Sequence, residues 1–233
     1  MGPADSTPAV TADDWALRSQ RLYERSVLDG EAGMLELASM ELDEVEAALA
    51  LARGRLLHGR FLVRRASGGQ VATGQPPGDP AELALFERAE RLYTKVGDVA
   101  GQARALFWIG CYRQVVAGDH QAAVPLLRQA LDLAAQAEDK ETMAEALRHL
   151  GIAEHAAGRL DVARKHLEQS AELRWETRNL AGVAANLVGL IYIAAAQGRR
   201  ADGLELARQA TDLAQATGAR VIMRQVQEAR AAL

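Results

Sequence analysis

Cys111 and the five histidines are the residues whose types suit covalent or metal chemistry. A cysteine attacks as its thiolate and needs a neighbouring base, and His155 is the candidate partner in the following repeat. An unpaired cysteine amid apolar residues more often acts as a small hydrophobe, and that reading is preferred. Glu145 and His149 share a helix face at i, i+4, with His155 one to two turns beyond. Zinc needs three or four ligands, and no fourth residue completes the set, so a helix-surface pair is the better account. No H-E-x-x-H spacing occurs, no lysine follows a glycine as a phosphate-binding loop requires, and no strand pattern seats a G-x-G-x-x-G turn. The expectation is no catalytic, cofactor-binding or metal-ligating residue, and a chain that is not an enzyme.

Composition narrows the partners. The 233 residues carry a net charge of −4 with a pI near 5.8, the wrong sign for a general nucleic-acid binder. Charge is uneven: residues 1–48 hold eleven acids against three arginines, whereas residues 49–65 hold five arginines and no acid. The stretch Arg53–Arg65, RGRLLHGRFLVRR, resembles a nucleic-acid patch, but its acidic surroundings favour a charged helix face. The single cysteine excludes an intramolecular disulfide. No apolar run is long enough to span a bilayer, and the acidic start lacks the features of a secretory signal, so a cytoplasmic protein is expected.

The elements that must position these residues are helices. Ala and Leu dominate the apolar 49%, and only 4% of residues are aromatic. Thr11 is placed to cap a helix from Ala12 to Leu28 anchored by Trp15, Leu22 and Tyr23. A long helix follows from Glu31 to Arg65, with a bend expected near Gly54. Ala66–Asp79 reads as a flexible insertion ending in a capping box, Asp79-Pro80-Ala81-Glu82, which opens a helix to Val96. Thereafter helices alternate: Ala100–Ala117, His120–Ala137, Asp139–Ala157, Leu160–Thr177, Leu180–Gln197 and Arg200–Thr217. Ala219–Leu233 is a terminal helix, and Pro125 is expected to kink the His120 helix. Gly118, Gly158 and Gly198 end the first helix of each pair at a constant interval, and Asp98, Asp139 and Asn179 sit at matching caps before it. A cap and a glycine recurring together mark a helical repeat.

These pairs resemble tetratricopeptide repeats. The pattern is met by Leu150-Gly151 with Ala163, Leu167 and Ser170, and by Ile109-Gly110 with Ala123, Leu127 and Ala130. Leu190-Ile191 with Gly203 and Ala207, and Leu57-His58 with Phe86 and Ala89, depart from it. There is also similarity to the tetratricopeptide-like tails of large bacterial transcription regulators, without their ATPase or helix-turn-helix parts. The resemblance implies an all-α, right-handed superhelical solenoid of antiparallel helix pairs. Its expected organisation is an N-terminal extension over 1–30, four pairs over 31–218 with the insertion at 66–79, and a capping helix at 219–233.

By the family pattern the concave groove is lined by Arg55, Gly59 and Leu62; Arg104, Phe107, Cys111 and Gln114; Glu145, Arg148, Ile152 and His155; and Val188 and Tyr192. Such a groove implies a protein- or peptide-binding adaptor whose arginines suit an acidic partner. A small-molecule-sensing or accessory module for a bacterial regulator or biosynthetic enzyme is the alternative. The lysine–asparagine carboxylate clamp of some relatives is not expected, since Lys95, Lys140, Lys165, Asn179 and Asn186 miss those positions. Neither nucleic acid nor membrane is an expected partner. The acidic N-terminal segment would either cap the first repeat or compete for the groove, in its own chain or in a homodimer joined through the N-terminal helices.

Overall fold

The structure, a computed structural model, describes residues 14–67 and 78–233. Thr11 and most of the Ala66–Asp79 insertion lie outside the described residues. Ten helices and no strand occur among the described residues: α1 Asp14–Val27, α2 Met34–Ser67, α3 Pro80–Val96, α4 Val99–Val115, α5 His120–Gln136, α6 Lys140–Ala156, α7 Leu160–Glu176, α8 Leu180–Ala196, α9 Arg200–Ala216 and α10 Arg220–Ala231. They stack as pairs α2/α3, α4/α5, α6/α7 and α8/α9, with α10 against α9 and α8, into a right-handed all-α solenoid.

Local chemistry explains the boundaries. Side chains of Asp98, Asp139 and Asn179 accept from the backbone N–H three residues on, at 2.8, 3.0 and 2.9 Å, satisfying donors that the first turn leaves free. Gly118, Gly158 and Gly198 take φ of 71°, 75° and 69°, a left-handed conformation that glycine adopts without a Cβ clash. The turns after α5 and α7 use Glu138 and Arg178 at φ 55° and 58° instead, which a glycine search overlooks. α5 runs unbroken through Pro125.

Small residues set the crossings within pairs. A Cβ on Gly151 would lie 3.0 Å from the Leu167 side chain and 3.2 Å from the Ala163 carbonyl oxygen, and one on Gly110 would lie 2.9 Å from Leu127. Gly189 of α8 serves instead at the junction between the third and fourth pairs, where its Cβ would meet Leu167 of α7 at 2.7 Å. Ser170 replaces the usual alanine and is satisfied by donating to the Ala144 carbonyl at 2.6 Å, while Asn186 donates to its hydroxyl at 2.8 Å. The apolar interior forms clusters strung along the solenoid, each shared by adjacent pairs.

Two expectations at the N-terminal end are corrected. Only Leu22 of the α1 anchors is buried; Trp15 and Tyr23 are exposed because, among the described residues, α1 packs on α2 alone. Gly54 lies within the single helix α2 and admits the ring of Phe86 from α3. Asp79 does cap α3, accepting from Ala81 N–H at 2.9 Å, but Glu82 does not turn back to complete a capping box. Its carboxylate is fully buried and bonds His58 Nδ1 at 2.8 Å, tying α3 to α2.

Candidate functional site

One concave face carries the candidate site. On α4, Arg104, Phe107 and Cys111 recur at i, i+3, i+7; on α6, Glu145, Arg148 and Ile152 repeat that spacing, so each trio shares one helix face. α2 supplies Arg55, His58, Leu62 and Arg65 from the preceding pair. Together they enclose a cavity of about 610 Å³. Trp108, Val115, Glu141 and His149 are among the other residues of its wall, and Arg174 reaches in from α7.

Most of the groove positions implied by the repeat pattern therefore line this cavity. Gln114 does not: it is buried beneath, where its amide donates to the His149 carbonyl at 2.9 Å and its Oε1 lies 2.6 Å from His149 Nδ1. His155 is half-buried outside the cavity wall. Gly59 lies on the outer side of α2, away from the cavity. Val188 belongs to the core with Val226 and Ala229 of α10, and Tyr192 packs on that same cluster, so α8 contributes no wall. Among the residues that sequence reasoning did not place here, Arg174 is the most consequential. Its one local sign is Gly182, where a Cβ would lie 2.5 Å from Arg174 Nη1.

The electrostatics are dominated by arginine. Arg55 lies over the Trp108 ring at 5.6 Å, and Arg65 over Phe61 at the same distance. Arg104 is held by Asp139 at 3.3 Å and Asp98 at 3.7 Å. Arg174 is buried and pairs with Glu145 at 2.8 Å, yet its Nε has no hydrogen-bond partner. Arg148 has no carboxylate within ion-pair distance among the described residues. Burial first, then the neighbouring Arg174 guanidinium, lowers the Arg148 pKa, with Glu145 opposing. An unpaired cation beside a second one, partly removed from water, is destabilised until an anion joins it.

Beneath the arginines lies a polar string that leaves no reactive thiol. The imidazoles beside Cys111 are those of His58 and His149, with Sγ 3.7 and 4.0 Å from their Nε2 atoms. Burial pushes the thiol far above its usual range, so Cys111 stays protonated and is a poor nucleophile. Because Gln114 presents Oε1 to His149 Nδ1, that nitrogen carries the proton and Nε2 is left as an acceptor. Burial, with Arg148 next, takes the His149 pKa down to about 3, which keeps the ring neutral. Burial also raises the Glu82 pKa, against the hydrogen bond from His58. Among the described residues no group of three or more His, Cys, Asp or Glu could hold a metal ion, and no helix is long and apolar enough to cross a membrane.

Residues 110–174, from the end of α4 through α7, match the family model for the tetratricopeptide repeat. The solved structure of the apo form of RapI superposes with a TM-score of 0.63 at 13% identity, covering 91% of this chain and 73% of that one. TPR-like repeats of a Podosopora anserina putative kinesin light chain superpose with a TM-score of 0.49 at 19% identity, covering 78% and 96% of the two chains. No curated protein matches the chain. The likeness to RapI concerns the fold, and the sequence match to the tetratricopeptide-repeat model extends over residues 110–174.

Proposed function

We propose that this tetratricopeptide-repeat solenoid is a non-enzymatic adaptor that binds an acidic peptide segment of a protein partner in the cavity between α2, α4 and α6. The observation that carries this reading is the Arg148–Arg174 pair: two adjacent guanidiniums facing a cavity, one with no carboxylate within ion-pair distance among the described residues and one with an unpartnered Nε. A carboxylate placed between them meets charge-assisted donors already held in position, and the fixed fork of each guanidinium favours bidentate contact. Phe107, Trp108, Leu62 and Ile152 supply the apolar wall for a flanking side chain. Arg55 and Arg104 extend the positive field and speed encounter with an acidic chain.

A second reading has its own support. The cavity volume of about 610 Å³ falls within the roughly 300–1,000 Å³ typical of small-ligand sites, so a small organic anion could fill it. Panning a random peptide library on the full-length protein separates the two. Enrichment of sequences bearing Asp or Glu beside an apolar residue, lost on Arg148→Gln and on Arg174→Gln, is the expected result. Absence of any arginine-dependent enrichment overturns the peptide reading. Thermal stabilisation by small carboxylates, lost in the same variants, would then establish the second.

A further inference from the structure

The long helix α2 carries a pattern that its own chain covers only in part. Leu35, Leu42, Leu49 and Leu56 recur every seven residues, and all four are exposed. Three residues after each stands Ala38, Val45, Ala52 and Gly59, every one small or β-branched, with Ala38 alone among them buried in the chain. A seven-residue repeat of leucine with a second apolar or small position is the signature of a coiled-coil seam, and here it spans four heptads. The stripe that packs on α3 is a different one, formed by Ala47, Ala50, Leu51, Gly54, His58 and Phe61. The leucine stripe lies on the opposite side of the helix from it.

Gly59 gives an independent sign. Glycine inside a helix is destabilising and is kept where something must approach closely. Gly54, earlier in the same helix, has such a reason in Phe86, but a Cβ on Gly59 would meet nothing within 4 Å. Instead Gly59 lines a shallow trough of about 530 Å³ along the outer face of α2, beside Leu56 and Arg60.

We infer that a second copy of this chain covers this face, its α2 running antiparallel across a two-fold axis near residues 50 and 51. Charge selects this occupant and this direction. Flanking the seam, the first half of α2 carries Glu41 and Glu46, and the second half carries Arg53, Arg55 and Arg60. Antiparallel pairing sets each acidic half against the basic half of the other copy, whereas parallel pairing would set like against like. Glu41 and Glu46 have exposed partners within the chain, Arg18 and Arg88, while Arg53 and Arg60 have no acid within ion-pair distance among the described residues. In this register Leu49 faces Ala52 of the second copy and Leu42 faces Gly59 of the second copy, a large side chain against a small one in each layer. α1 packs on the first half of α2, where Arg18 meets Glu41, and leaves Leu17, Tyr23 and Val27 exposed. The resulting contact is isologous and closes on itself.

Sedimentation velocity on the full-length chain, from sub-micromolar to tens of micromolar, tests this inference. A monomer–dimer equilibrium is expected, with its dissociation constant raised about a hundredfold or more by the double substitution Leu49→Glu and Leu56→Glu at unchanged helicity. Should that variant lose helicity, charge reversal serves instead. Glu41→Arg with Glu46→Arg should weaken dimerisation about tenfold, and adding Arg53→Glu with Arg60→Glu should restore it. Direction is read by oxidising a mixture of Leu42→Cys and Gly59→Cys proteins, in which the mixed disulfide should predominate. A monomer at every concentration, or a dimer indifferent to all these changes, overturns the proposal. Predominant disulfides joining two copies of the Leu42→Cys protein overturn the antiparallel arrangement.

Discussion

Helices α6 and α2 open the third and first pairs of one solenoid, yet their surroundings differ. α6 has neighbours on several sides, α7 and α5 as well as α4 and α8, and Ala144, Ala146, Leu147, Leu150 and Ala153 are all buried. α2 is twice as long at 34 residues and is packed by α3 along one face and by α1 near its start. Leu35, Leu42, Leu49 and Leu56 on its outer face therefore stay in water, whereas Leu51 joins the core. An identical residue type contributes differently in the two places: Leu147 and Leu150 on α6 are held by close packing, whereas Leu49 and Leu56 on α2 are exposed. The same holds for glycine, where a Cβ would crowd Leu167 and the Ala163 carbonyl at position 151 but meet nothing within 4 Å at position 59.

The largest effect that would break this contrast is a core truncation. Leu167 lies against both Gly151 and Gly189 and is 2% exposed, so Leu167→Ala should cost about 2–5 kcal/mol in urea unfolding. Leu49→Ala removes the same atoms from an exposed position on α2. Measured where the protein is monomeric, it should change stability by no more than about 0.5 kcal/mol. Equal losses in the two variants would show that α2 is packed as tightly as the later helices.

A pH titration of stability sharpens the contrast from the α6 side. His149 is neutral in the fold down to about pH 3, whereas the unfolded chain gains a proton there below about pH 6.5. Between those limits the unfolded state binds more protons, so stability should fall by about 1.4 kcal/mol per pH unit on acidification. His149→Gln removes this contribution, and a slope identical to that of the parent over this range would contradict the buried, neutral assignment. α2 offers no equivalent group on its outer face.

Overpacking comes next. Gly151→Leu should cost about 1–3 kcal/mol, because Leu167 and the Ala163 carbonyl already occupy the space. A denaturation midpoint equal to that of the unsubstituted protein would move the crossing point of the third pair elsewhere. The smallest effect belongs to the exposed ion pair between α1 and α2. Arg18 contacts Glu41 at 2.7 Å with its side chain 64% exposed, so Arg18→Ala should shift stability by less than about 0.5 kcal/mol. A larger loss would mean that α1 is held by this pair rather than by Leu22.

Features that act over a few residues were legible in the chain before any coordinates. The caps at Asp98, Asp139 and Asn179, the left-handed glycines and the leucine–small-residue crossings depend on neighbours at i+3, i+4 or one helical hairpin away. They placed the boundaries of the repeat helices closely and fixed the all-α repeat. The family pattern implied Arg104, Phe107, Arg148 and Ile152 as groove residues, and these line the cavity. Which charged groups lost their water became visible only in the folded molecule. Glu82 fits a capping box as a sequence motif and becomes a buried partner of His58, 24 residues earlier. Arg174 reads as one more surface arginine of α7 and enters the cavity beside Arg148, whereas Val188 and Tyr192, in groove register, join the core around α10. Burial and the pairing of charges depend on which distant segments come to surround a side chain, and that is a property of stacked helices, not of spacing along one of them.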